Sequence, residues 1–155
     1  MTNPIHGIDH AIPPELGKAY REALYVIHGE GGHIQLRVGQ SSPKLTTLMK
    51  NHGVKSAAFL TAFNPHGILE TAEVNVANHN ALIADINALG LKSIFGEGGD
   101  PLHLWPSEPS VLVLGISHQN AELLAERYGQ NAYLWIAGDD GLVNLNLRYP
   151  IGGSR

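Results

Sequence analysis

Cysteine is missing altogether from the 155 residues. Its absence excludes disulfides, thiolate zinc sites and cysteine nucleophiles. Charge is sparse as well. Asp, Glu, Lys and Arg make up 15% of the chain, well under the average of about 25%, which reads as a well-packed globule. The ten Lys and Arg are scattered and are outnumbered by fourteen Asp and Glu, giving a formal net charge of −4. Non-specific affinity for nucleic acid comes from clustered basic residues, so no nucleic acid is expected as a partner. No membrane is expected either, because the apolar run Val111 to Leu114 is far short of the roughly 20 residues that a spanning helix needs. Met1 to His6 lacks the basic region and apolar core of a signal peptide, which makes the cytoplasm the expected compartment. No sequence signature calls for a cofactor.

With 43% hydrophobic residues, a chain of this length folds most simply as one domain. It is long enough to bury roughly 68–70% of its unfolded surface without staples. Residues 1–12 read as a loose arm. Pro13-Pro14-Glu15 opens a short helix, with proline in its first turn and an acid at its positive end. Leu24 to His28 and residues 33–38 read as strands joined by Gly29-Glu30-Gly31-Gly32, the second alternating Ile34, Leu36 and Val38 against His33, Gln35 and Arg37. Ser42-Pro43 starts a helix that stops at His52-Gly53. Lys55 to Phe63 is a buried strand, and Glu70 to Leu89 is the longest helix. Leu91 to Phe95 is a short strand. Gly96 to Pro109, with Gly96-Glu97-Gly98-Gly99-Asp100 as a mobile loop, is the longest irregular stretch. Val111 to Ile116, a helix capped by Ser117, Asn131 to Ala137 and Val143 to Leu147 complete the chain. The fold class expected is α/β, with α+β as the variant: a single domain over 1–155 with a mixed β-sheet of six or seven strands and three or four helices packed on it.

The buried strand runs Ala57-Ala58-Phe59-Leu60-Thr61-Ala62-Phe63 and stops at Asn64-Pro65. Proline fixes its own φ, donates no N–H and pushes Asn64 toward extended geometry. In α/β folds, ligands collect at the turn after such a strand. The helix that follows carries residues 75, 79, 82, 86 and 89 on one stripe. Leu82, Ile86 and Leu89 form its apolar part; Asn75 and His79, flanked by Asn78, form a polar part beside the Asn-Pro turn. Two readings stand. The amides bond the loop backbone, or Asn64, Asn75, Asn78 and His79 line a cleft for a small polar ligand. Gln130 and Asn131 lie beside another buried strand and carry the same ambiguity.

Other signatures are incomplete. Gly115-Ile116-Ser117-His118-Gln119 sits where a nucleophile elbow would, but Gln119 replaces the glycine the elbow needs, so Ser117 reads as a helix cap. None of the nine histidines forms a His-x-x-x-His pair. A metal site would need His66, His79 and His103 to converge with Glu108 or Asp100. Isolated histidines are usually surface or satisfied core residues, so no metal site is assigned. Lys55-Ser56 and Lys92-Ser93 do not match a phosphate loop, and the glycine-rich stretch at 96–99 lacks the spacing of a dinucleotide fingerprint.

Tyr20-Arg21 with Tyr25, Leu60-Thr61-Ala62-Phe63-Asn64-Pro65, Asn75, Glu108-Pro109-Ser110, Gly115 and Gly129-Gln130-Asn131-Ala132 together resemble a bacterial family, the domain of unknown function numbered 3293. The resemblance spans residues 20 to 147. It implies a small stand-alone bacterial domain and brings with it neither a reaction nor catalytic residues.

These readings lead to a domain that binds a small polar ligand in an Asn-rich cleft. Thr61, Asn64, Asn75, Asn78, Asn131 and Arg21 are the binding candidates, with Arg21 meeting an anionic group on the ligand. Acid–base hydrolysis or group transfer is the reaction class that fits, with Glu108 or His79 as proton carrier. The alternative is a non-enzymatic interaction module that pairs with a partner through the edge strand Val143 to Leu147.

Overall fold

The computed structural model describes residues 10–29, 31–102, 106–137 and 139–152. Seven strands and four α-helices follow one another as α1 (Pro14–Glu22), β1 (Leu24–Gly29), β2 (Gly32–Leu36), α2 (Pro43–Asn51), β3 (Ser56–Leu60), α3 (Ala72–Ala88), β4 (Lys92–Gly99), β5 (Glu108–Leu114), α4 (His118–Arg127), β6 (Ala132–Ala137) and β7 (Val143–Leu147). A 3-10 turn at Pro65–Gly67 joins β3 to α3. The strands form a single sheet in the order β2-β1-β4-β5-β3-β6-β7. A single domain with this number of strands and helices matches the class expected from the sequence. The sense of pairing does not: every pairing between these strands is antiparallel, where a mixed sheet was expected.

The connections explain that difference. α3 links β3 to β4 and α4 links β5 to β6, and the linked strands do run the same way, as helical crossovers require. In each case a strand of the other unit is inserted between them, β5 in the first and β3 in the second. Parallel strands are therefore never neighbours. Residues 56–137 form a β-α-β-β-α-β unit with split crossovers, the ferredoxin-like arrangement. The β1–β2 hairpin extends this unit beyond β4, and β7 extends it beyond β6.

Alternation along the strands sends side chains to two faces. On one face Ala58, Leu60, Val111 and Val113 pack under α3 and α4 through Leu82, Ile86, Ala121, Leu124 and Ala125. On the other, Ala57, Phe59, Leu112, Leu114, Leu134 and Ile136 pack with Leu45 and Met49 of α2. The helices start where capping chemistry allows. The Ser42, Thr71 and Ser117 side chains accept the backbone N–H of Leu45, Val74 and Asn120, which satisfies donors that the first helical turn leaves unpaired. Ser117 is thus a cap, as its sequence context indicates.

Two local expectations are corrected. The glycine-rich stretch 96–99 is the second half of β4, paired with β1 on one side and with β5 on the other. Its glycines make room for neighbouring rings. A Cβ on Gly98 would lie 2.9 Å from the Tyr25 ring, and one on Gly96 would lie 2.8 Å from the Phe59 ring. The expected loose arm lies outside the described residues over 1–9. Its last part is tied down: Ile12 is fully buried, and its N–H donates to the Pro150 carbonyl. Among the described residues, no helix is long and apolar enough to cross a membrane.

Candidate functional site

A cavity of about 230 Å³ lies against the second face of the sheet, under α1. Leu16, Ala19, Tyr20 and Ala23 sit on one side of α1 and its C-cap, as their spacing requires, and roof the cavity. Phe59, Leu134 and Leu145 form apolar wall, and Thr61, Asn64, Glu108, Ser110 and Gln130 bring polar atoms to it. Along β5 this face changes character. Leu114 and Leu112 are core, Ser110 is buried and polar, and Glu108 opens the strand at the cavity. Gly98 stands opposite Glu108 in the neighbouring strand, so no side chain from that position fills the space.

Glu108 is held by the Asn-Pro turn. Asn64 Nδ2 donates to Glu108 Oε2 at 2.9 Å. Asn64 is itself locked: Asn75 Nδ2 and the Glu70 N–H both donate to its Oδ1 at 2.9 Å, and its own N–H donates to Asn75 Oδ1 at 2.9 Å. This lock overrides the extended geometry expected before proline. Asn64 adopts the left-handed region at φ 48° and ψ 64°, where asparagine is tolerated better than most residues. Thr61 completes the frame. Its hydroxyl donates to the Pro109 carbonyl at 2.9 Å and accepts the Phe63 N–H at 3.1 Å, tying the end of β3 to the start of β5.

The structure brings Thr61, Asn64, Asn75 and Glu108 together and places the other candidates elsewhere. Asn75 stands behind Asn64, 5% exposed, and does not line the cavity. Asn78 is half-buried and also outside it. Asn131 is a positioning residue: its Nδ2 donates to the Tyr20 hydroxyl at 3.1 Å, and its Oδ1 lies 2.9 Å from His10 Nε2. Arg21, next to Tyr20 on α1, is exposed and lines no part of the cavity. His79 lies behind Phe63, ring centroids 6.1 Å apart, with Phe95 on its other side at 6.2 Å. Its Nδ1 is buried without a partner among the described residues, and burial lowers the pKa of the ring. Gln130 bonds the Phe63 and Tyr128 carbonyls through Nε2 and lines the cavity.

Convergence of histidines on a metal is not seen among the described residues. His66 packs against His10 at 4.9 Å, His79 packs against the two phenylalanines, and His103 lies outside the described residues. No group of three metal-ligating side chains occurs among the described residues.

Two site residues carry no strong sequence signal, Tyr20 and Tyr25. Both belong to the motif set quoted above, where the neighbouring Arg21 attracts more attention. The Tyr25 hydroxyl donates to the Tyr20 carbonyl at 2.7 Å. Burial raises the pKa of both phenols, and the nearby Glu108 charge raises them further. Glu108 is itself raised above the ordinary glutamate value by burial, which the Asn64 hydrogen bond only partly offsets. Its Oε1 has no donor among the described residues, and no cation pairs with it there. A half-buried carboxyl of this kind, beside two phenols, is suited to accepting a hydrogen bond from a ligand or to moving a proton.

Asn64, Asn75 and Asn131 are bonded within the protein, and what they hold in place is Glu108 and Tyr20. The alternating β7 is an edge strand, as its pattern suggests. One end of that edge is already covered, since Gly39 N–H donates to the Val143 carbonyl and Val143 N–H to the Gln40 carbonyl.

No curated protein and no solved structure matches the chain. The model of a family described as a protein of unknown function, DUF3293, matches residues 60–133, a shorter span than that of the motifs quoted above and one that falls within the split-crossover unit. Over that unit the chain resembles the DUF3293 family.

Proposed function

We propose that this domain binds a small molecule in the cavity under α1, with Glu108 meeting its polar head and Phe59, Leu134 and Leu145 its apolar body. The observation that carries this reading is the state of the Glu108 carboxyl. One oxygen is fixed by Asn64, the other has no donor among the described residues, and both belong to a group that lines a cavity. Concave, mostly apolar spaces with a few convergent polar groups are the usual form of a small-molecule site. A cavity of about 150 Å³ holds benzene, so 230 Å³ has room for a ring with a short arm. Hydrolysis or group transfer by acid–base catalysis is the reaction class that Glu108 serves when the bound molecule is turned over.

The test uses thermal unfolding with a panel of ring-sized compounds. At least one should raise the melting temperature of the wild-type protein. Ala19→Phe, which fills the cavity from α1, should fold and lose that response. A response that survives Ala19→Phe unchanged places the binding somewhere else.

A further inference from the structure

The charge of the cavity is one-sided. Glu108 is its only acidic lining residue among the described residues, and no Lys, Arg or His lines it there. Its walls are also rich in rings. Tyr20, Tyr25, Phe59, Phe63 and Tyr133 belong to the lining, five of the chain's three phenylalanines and five tyrosines taken together, in a sequence whose aromatic content is only 6%. Tyr25 and Phe59 meet edge to face, with centroids 5.7 Å apart, over the glycines of β4.

The remaining polar atoms are largely committed inside the protein. The Thr61 hydroxyl donates to Pro109, the Ser110 hydroxyl to the Glu108 carbonyl, the Tyr25 hydroxyl to Tyr20, and Gln130 Nε2 to Phe63 and Tyr128. Glu108 Oε1 is left as the carboxyl acceptor for an occupant. A half-buried carboxylate held by one amide donor and no cation is incompletely compensated, and a cation that enters beside it offsets that cost. Aromatic faces attract the same charge.

From this juxtaposition of one carboxylate without a cation, a lining rich in aromatic residues and no basic side chain among the described residues, we infer that the occupant is an organic cation, a small amine whose ammonium group meets Glu108 and whose apolar body lies against the aromatic and aliphatic walls. The inference rests on the cavity being a binding site. It adds the charge of the ligand, which that reading leaves open.

Three compounds of the same size separate the two ideas: benzylamine, benzyl alcohol and benzoate, titrated by NMR into the wild-type protein and into Glu108→Gln. Benzylamine should bind the wild type roughly ten-fold or more tightly than benzyl alcohol, a preference typical of a charge-assisted hydrogen bond. Glu108→Gln should abolish the preference while keeping its spectrum dispersed. In the wild type alone, the preference should fall as the pH is lowered through the titration of Glu108. Equal or tighter binding of benzyl alcohol or benzoate to the wild type overturns the inference and leaves the cavity a binding site for another class. No shift of any cavity resonance with any of the three overturns the inference and also counts against the reading on which it rests.

Discussion

The two faces of the sheet are built from the same strands and behave differently. Under α3 and α4, the side chains of β3 and β5 are apolar at Ala58 and Leu60 and at Val111 and Val113, and meet Leu82, Ile86 and Leu124 in a packed core. On the opposite face, alternate residues of those strands are apolar only as far as α2 covers them; beyond that, Ser110 and Glu108 replace leucine beside a cavity. One strand thus carries two programmes at a period of two. The face that is packed end to end holds the fold together, and the face that changes from leucine to glutamate holds the site. The family match follows the unit to which α3 and α4 belong, while Tyr20, Tyr25 and Leu145 reach the cavity from elements outside the matched residues.

The contrast breaks most visibly on the packed side. Leu82 is 1% exposed between α3 and the sheet. Leu82→Ala should cost about 2–5 kcal/mol through lost burial and a residual void, measured by urea unfolding, with little change in any ligand response that the destabilised protein retains. The site frame comes next. Asn75→Ala removes the acceptor of the Asn64 N–H and a donor to its Oδ1. The expected loss is about 1–3 kcal/mol, together with a change at Glu108, which Asn64 no longer holds firmly. A loss of stability with an unchanged Glu108 titration would separate Asn75 from the site.

The smallest effect has the opposite sign. The pKa of Glu108 is raised in the fold, so the folded protein holds that proton more tightly than the unfolded chain does. The resulting stability is fully present below the unfolded glutamate value and is lost as the pH rises through the folded one. Glu108→Gln cannot ionise, so it should melt no lower than the wild type at neutral pH and should show a flatter dependence of stability on pH across that window. Melting curves over a pH series measure this. Stability given up in exchange for a functional group is common at binding sites.

Much of the packed side was legible in the sequence, because its signals are local. Leu82 and Ile86 repeat at helical spacing, Ser117 stands where a cap belongs, and Val111 to Leu114 reads as a buried strand. Leu89, on the same stripe, is 44% exposed because the helix has run past the sheet. Asn64 stands out in the sequence at the end of the buried strand, and Glu108 through the Glu108-Pro109-Ser110 motif. Gly96 to Gly99 carries no strand signal in the sequence, because glycine is depleted in strands. What makes these residues a strand is the pairing with β1 and β5 and the rings of Tyr25 and Phe59 above them, all distant in sequence. The roles of Asn75 and Asn131 were ambiguous for the same reason. Whether an amide faces a ligand or a neighbour depends on which elements meet, and here Asn131 meets Tyr20 across 111 positions of the chain.

The most direct test of the site is the titration of the Glu108 side-chain carboxyl itself, followed by NMR and assigned with Glu108→Gln. A carboxyl lodged in this cavity without a cation should titrate above the ordinary glutamate range. A midpoint within or below that range would contradict the account, since it would describe a solvated or ion-paired carboxylate rather than the half-buried group without a cation on which the proposed site depends.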